Sequence, residues 1–152
     1  MMLPLRLCLR REPAVDGSGA LVTLRIPSDV ECIEGAVDLV TRHCFAGHST
    51  SPHTRFRLQV VLSEALANAI VRGNREDDAK WVHLRAELQD DVIRVYVTDE
   101  GPGFDPHAVP EPIRPERVDG PGGRGLFLIH QLVDAVHFND QGNCICMTLR
   151  RP

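Results

Sequence analysis

A chain of 152 residues, 43% hydrophobic and 25% charged, has the makeup of an ordinary globular domain with one core, not of a disordered or fibrous protein. Its net charge of −4 argues against nucleic acid as the main partner, because phosphate backbones are met by basic surfaces. No apolar run reaches membrane-span length and no secretory signal is visible, so a cytoplasmic protein without a membrane partner is expected.

Leu5, Leu7 and Leu9 alternate with Arg6, Cys8 and Arg10, the pattern of a half-buried strand. Turn residues over 11–19 follow, so residues 1–19 read as an N-terminal segment with an extra strand, and residues 20–152 as the domain proper. Ala20–Ile26 reads as a strand. Pro27-Ser28-Asp29 then opens a helix that runs to about Phe45 and stops at Gly47. Ser51-Pro52 opens a second helix, with Phe56, Val60, Ala67 and Val71 on one stripe and Leu58, Leu62, Ala69 and Ile70 on a neighbouring one. Gly73-Asn74 is its expected stop.

Trp81–Leu88 and Val92–Thr98 read as a hairpin around Gln89-Asp90-Asp91. Residues 105–121 hold five prolines and few apolar residues, a long surface loop of the kind that is usually functional. A helix is expected over Arg124–Val136, and strands over Ala135–Phe138 and Asn143–Leu149 around Asp140-Gln141-Gly142. The sum is an α/β two-layer sandwich: a mixed, mostly antiparallel sheet with helices on one face. The five cysteines include no C-x-x-C pair, so no disulfide framework is expected. Cys144 and Cys146 would share one strand face.

Three segments carry chemistry. Glu64 and Asn68 lie four residues apart, on one helix face. Both face water on the plain reading; on the functional one, Asn68 offers its amide oxygen to Mg²⁺ and Glu64 orients a hydroxyl or water beside a phosphate chain. Asp99 follows a strand and is either a turn residue or a carboxylate that accepts the exocyclic amine of adenine, which guanine lacks at that position. Gly101 and Gly103 remove side chains where backbone would approach a ligand. Gly122, Gly123 and Gly125 surround Arg124 at a helix start, where free N–H groups suit phosphate and a guanidinium adds a cation; a plain hinge is the alternative. No G-K-[ST] of a Walker A loop is present.

Glu64-x-x-x-Asn68, Asp99-x-Gly101-x-Gly103-Phe104 and Gly123-Arg124-Gly125-Leu126 together resemble the N, G1 and G2 boxes of the Bergerat-type (GHKL, histidine kinase-like) ATPase superfamily. Within it, Leu62-Ser63-Glu64-Ala65-Leu66-Ala67-Asn68-Ala69-Ile70 and Gly122–Ile129 are most similar to the anti-sigma factor serine/threonine kinases of bacterial partner-switching systems. The resemblance implies an ATP-dependent protein kinase that phosphorylates an anti-anti-sigma-type protein and binds a sigma factor or other target. It implies ATP and Mg²⁺ as cofactors, Asn68 as metal ligand, Asp99 at adenine and Glu64 as the catalytic residue. Arg72, Phe104, Gly122, Arg124 and Leu126 would join the glycines Gly101, Gly103, Gly123 and Gly125 around the nucleotide, with residues 105–121 as a lid.

The chain departs from the family pattern at two points. Arg72 stands where His is frequent, and Asn143 follows Gly142 where Thr is frequent. Arg72 keeps a second reading open, an ATP-gated sequestering module that transfers no phosphate. A histidine kinase proper is disfavoured, since none of the seven histidines is followed by Asp or Glu. The resemblance also implies a homodimer, to which the N-terminal strand would offer an edge.

Overall fold

The computed structural model describes residues 7–14, 17, 19–46, 51–105 and 123–151. Its elements in chain order are β1 (Cys8–Pro13), β2 (Ala20–Pro27), a 3₁₀ turn (Val30–Cys32), α1 (Ile33–Cys44) and α2 (Pro52–Ala67). A π-helical turn (Asn68–Gly73) continues α2, and β3 (Trp81–Leu88), β4 (Val92–Thr98), α3 (Gly123–Leu132), β5 (Ala135–Phe138) and β6 (Cys144–Arg150) complete the chain. The six strands lie in the order β1-β2-β3-β4-β6-β5, and every neighbouring pair is antiparallel. The fold is therefore the expected α/β sandwich, with antiparallel pairing throughout the described strands.

Alternation along the strands builds the core. Val22, Leu24 and Ile26, Val82, Leu84 and Ala86, Ile93, Val95 and Val97, and Ile145, Met147 and Leu149 are buried and share the face that the helices cover. Each fully buried aliphatic side chain contributes roughly 1.5–3 kcal/mol. α2 lies between α1 and α3 and reaches β6 beneath it. It is fixed at its start by Ser51, whose hydroxyl accepts the Thr54 N–H at 3.1 Å, with Pro52 as the first helical residue. Asp29 caps the 3₁₀ turn by accepting the Glu31 N–H at 2.9 Å.

Four details differ from the sequence expectations, the first that β1 runs on through Arg11, Glu12 and Pro13, residues read as turn, because they pair with Val22, Leu21 and Ala20 of β2. On α2 the buried stripe is Leu58, Val61, Leu62, Ala65, Leu66, Ala69 and Ile70; Phe56 and Val71 are exposed, because α1 and α3 flank the helix without covering their side. The last turn of that helix is π-helical from Asn68, closed by the Asn74 N–H on the Ala69 carbonyl at 2.8 Å. α3 ends at Leu132, not Val136, because the Asp134 N–H turns to the Thr148 carbonyl of β6 at 2.8 Å. Of the loop expected over 105–121, all but Asp105 lies outside the described residues.

Candidate functional site

A cavity of ≈ 380 Å³ opens between the end of α2, the end of β4, the start of α3 and the β5–β6 turn. It falls within the range of small-molecule sites. Ala65, Asn68, Ala69, Arg72 and Gly73 line one wall at helical spacing, so the same turns that bury Ile70 against the sheet present Asn68 and Arg72 to the cavity. Val97 and Ile145 give it apolar walls.

Asp99 follows β4 and is half-buried in that wall. Its Oδ1 accepts the Gly101 N–H at 2.8 Å, while burial pushes its carboxyl above the usual range against the smaller lowering effects of that bond and of Lys80. A carboxylate at that depth needs a donor, and a base amine is one. The surrounding glycines make room for it. A Cβ at Gly73 would stand inside the Asp99 carboxylate, and one at Gly101 inside the Gly73 carbonyl. Gly103 and Gly142, at φ +76° and +74°, interlock two turns: Gly103 abuts the Gln141 carbonyl and Gly142 the Phe104 carbonyl. Phe104 packs edge-on against Phe138 at 5.2 Å between centroids, which ties this loop to β5.

The opposite end of the site is made by α3. A Cβ at Gly125 would lie 2.9 Å from Glu64 Oε2 and 3.1 Å from Asn68 Nδ2, so α3 passes close to that pair and a side chain there would make the ends of Glu64 and Asn68 shift. Leu126 adds an apolar contact to the cavity. The far end of α3 is pinned by Arg57 on α2, whose Nε donates to the Leu132 carbonyl at 2.6 Å and whose guanidinium reaches Asp134 at 3.2 Å. The backbone N–H of Arg150 holds the Asp134 carboxyl below the usual range, with Arg57 assisting.

The residues singled out in the sequence thus converge unevenly. Asn68, Arg72, Asp99, Gly103, Phe104 and Leu126 line the cavity; Gly101 shapes it from behind Asp99, and Glu64 meets Gly125 beside Asn68. Arg124 is exposed on the first turn of α3 and is not a lining residue, Gly123 begins that helix, and Gly122 lies outside the described residues.

Sequence reasoning missed Asn74, Arg75, Phe138 and Asn143. Asn74 is buried: its Nδ2 donates to Ser28 Oγ at 2.9 Å and to the Trp81 carbonyl at 3.0 Å, and its Oδ1 accepts the Glu100 N–H at 2.7 Å. Asn143 lines the cavity and donates to the Asp99 carbonyl at 3.2 Å. The overlooked signal was the repeated Gly-Asn dipeptide, Gly73-Asn74 and Gly142-Asn143. The sequence expectation takes Gly73-Asn74 only as a helix stop, and Asn143 only as a strand start and a departure from the family pattern.

The donor set fits a magnesium nucleotide. Asn68 could offer a hard oxygen and Asp99 a carboxylate to a base, Glu64 is an acid on the same helix face as Asn68, and Arg72 and Arg75 place guanidinium groups in the cavity wall. The family model of the histidine kinase-like ATPase domain matches residues 26–149. The serine-protein kinase RsbW of Oceanobacillus iheyensis is 29% identical over 96 residues, 59% of this chain and 61% of that protein. The serine-protein kinase RsbW of Staphylococcus aureus (strain JH9) is 27% identical over 135 residues, 84% of each chain. The matched stretch thus spans about three-fifths of the first relative's length and most of the second's.

Proposed function

The chain belongs to the histidine kinase-like ATPase domain family, and from that premise we propose that it is an ATP-dependent serine/threonine protein kinase. Its substrate is an anti-anti-sigma-type protein, and it also binds a sigma factor or another regulatory target. The observation that supports this reading is the close approach of α3, at Gly125, to Glu64 and Asn68 beside the cavity that Asn68 and Asp99 line. A carboxylate placed for a base in the cavity wall, with an acid–amide pair at its edge, suits a nucleotide held for phosphoryl transfer rather than for storage. The relatives named serine-protein kinase support the same reaction class.

In this mechanism Asp99 accepts the adenine amine, and Asn68 would hold a Mg²⁺ ion, which would supply neutralising charge to the phosphates. Arg72 and Arg124 bond phosphate oxygens, and Gly101, Gly103, Gly123 and Gly125 let backbone close around them. Glu64 orients the substrate hydroxyl; its oxygen bonds the γ-phosphorus as the bond to the β–γ bridging oxygen breaks, ADP leaves, and the proton passes to Glu64. A carboxylate suffices, because a loose phosphoryl-transfer transition state asks for orientation and charge stabilisation more than for a strong base.

The test pairs calorimetry of ATP against GTP, with Mg²⁺, with label transfer from γ-labelled ATP to an anti-anti-sigma-type protein. Expected are ATP-selective binding lost in Asp99→Asn and label transfer lost in Glu64→Ala with binding retained. ATP binding without transfer in the wild type would favour the sequestering module instead, the reading that Arg72 in place of His supports.

A further inference from the structure

The face of the sheet turned away from the helices carries a second feature, which the nucleotide site does not use. The strand register aligns its side chains in rows. One row runs Cys8, Arg25, His83, Thr98, Cys144, and the next runs Arg10, Thr23, Arg85, Tyr96, Cys146, His137. Neither row contains a carboxylate, although the chain as a whole has a net charge of −4. Among the described residues, acids appear only at the margins. Glu12 and Glu87 stand on the third row, where Glu87 reaches Arg85 at 3.6 Å, and Glu100 meets His83 at 2.8 Å from the loop after β4. A shallow groove of ≈ 650 Å³ follows the two cationic rows.

Two of its guanidinium groups are pre-set. Arg25 lies over the Trp81 ring at 4.1 Å, and Arg85 over the Tyr96 ring at 4.3 Å. Stacking fixes the plane of each guanidinium and leaves N–H edges available for the bidentate pairing that a carboxylate accepts. Less side-chain freedom is then lost when an anion arrives.

We infer that this groove is a docking surface for an extended acidic segment of a partner protein, whose Asp or Glu side chains pair with Arg10, Arg25 and Arg85. A second copy of the chain would offer this strip acids only from its margins, Glu12, Glu87 and Glu100, and two of these already meet Arg85 and His83. The strip is only two residue rows wide, roughly 7 Å from row to row, and bordered by acids, which matches a single strand of peptide and repels a nucleic-acid duplex. The inference stands independently of nucleotide binding.

Trp81 is the only tryptophan of the chain and sits beneath Arg25, so its emission reports on the groove. The full chain is titrated with a fluorescently labelled peptide of alternating Glu and Gly, following Trp81 emission and, independently, the anisotropy of the label. Expected is saturable binding that weakens with salt and falls by about tenfold or more in Arg25→Ala and in Arg85→Ala, the loss typical of removing one member of a close charge pair. Arg25→Lys, which keeps charge and loses the planar fork, falls several-fold. Arg42→Ala, on α1 where Arg42 pairs with Asp38, leaves affinity unchanged. Equal losses from Arg42→Ala and Arg25→Ala would overturn the inference, since net charge alone would then explain the binding. So would equal binding of a Lys-Gly peptide, preferential binding of a single-stranded oligonucleotide, or a wild-type dimer that Arg25→Glu splits in sedimentation.

Discussion

Asn74 and Asn143 grip the two sides of one peptide bond. Asn74 Oδ1 accepts the Glu100 N–H at 2.7 Å and Asn143 Nδ2 donates to the Asp99 carbonyl at 3.2 Å, so the amide that follows Asp99 is held by side chains from both flanks of the cavity. The two contributions are unequal. Asn74 is buried and also serves Ser28 and the Trp81 carbonyl, so Asn74→Ala leaves several polar groups without partners and is expected to cost about 3 kcal/mol. Asn143→Ala, at a half-buried site, is expected to cost about 1 kcal/mol. Urea melts of the two variants give the comparison; equal costs would deny Asn74 its place as the hub.

Gly73 has a more specific task than stopping a helix. Because a Cβ there would stand inside the Asp99 carboxylate, Gly73→Ala must push Asp99 out of position or open the turn. Overpacking of this kind costs about 1–3 kcal/mol, and the displaced carboxylate loses its base contact. ATP affinity in calorimetry should therefore fall by at least about tenfold, with a smaller effect on melting. Unchanged affinity would separate Asp99 from the ligand.

The raised pKa of Asp99 gives two pH trends of opposite sign. Base recognition needs the carboxylate, so ATP affinity should be constant well above its raised pKa and fall as pH drops through it, at a pH higher than the ordinary 3.8 would allow. The unliganded fold behaves the other way: between 3.8 and the raised value the folded state binds more protons than the unfolded, so the Asp99 contribution to stability declines as pH rises through that window. Glu100 and Asp134, both lowered, lose their stabilising contributions on acidification and mask the trend. The difference between wild type and Asp99→Asn isolates it. A pH-independent difference would mean that Asp99 titrates normally.

Much of this arrangement was legible in the residues themselves. The β3–β4 hairpin follows from strand alternation around a polar turn, and the order of the Glu/Asn, Asp-Gly and Gly-Arg-Gly segments was enough to gather Asn68, Asp99 and Leu126 around one cavity. What escaped was set by contacts distant in sequence. The π-helical turn at Asn68–Gly73 ends on Asn74, whose side-chain partners lie on Ser28, Trp81 and Glu100. Helical periodicity is a local signal and carries no trace of those bonds. The exposure of Phe56 was hidden for the same reason, since the buried face of α2 depends on where α1 and α3 dock.

Arg75 offers the clearest trade between stability and binding. It and Glu76 adopt left-handed backbone, φ 53° and 56°, imposed by the closure of the π turn, in which the Glu76 N–H reaches the Ile70 carbonyl at 2.9 Å. A side chain there costs roughly 1–2 kcal/mol, and glycine is the residue that relieves it. Glycine also makes the unfolded chain more flexible, which takes back about 0.4–1 kcal/mol. The net effect of Arg75→Gly is thus a gain of about 0.5–1 kcal/mol, read as a raised melting temperature. Arg75 also lines the cavity, so the same variant removes a cation from the wall that would face the nucleotide. ATP affinity is expected to fall as stability rises, while Arg75→Lys, keeping charge and strain, should retain most affinity and gain no stability. A Gly variant that melts higher and binds ATP as well as the wild type would reduce Arg75 to a tolerated strain with no part in the site.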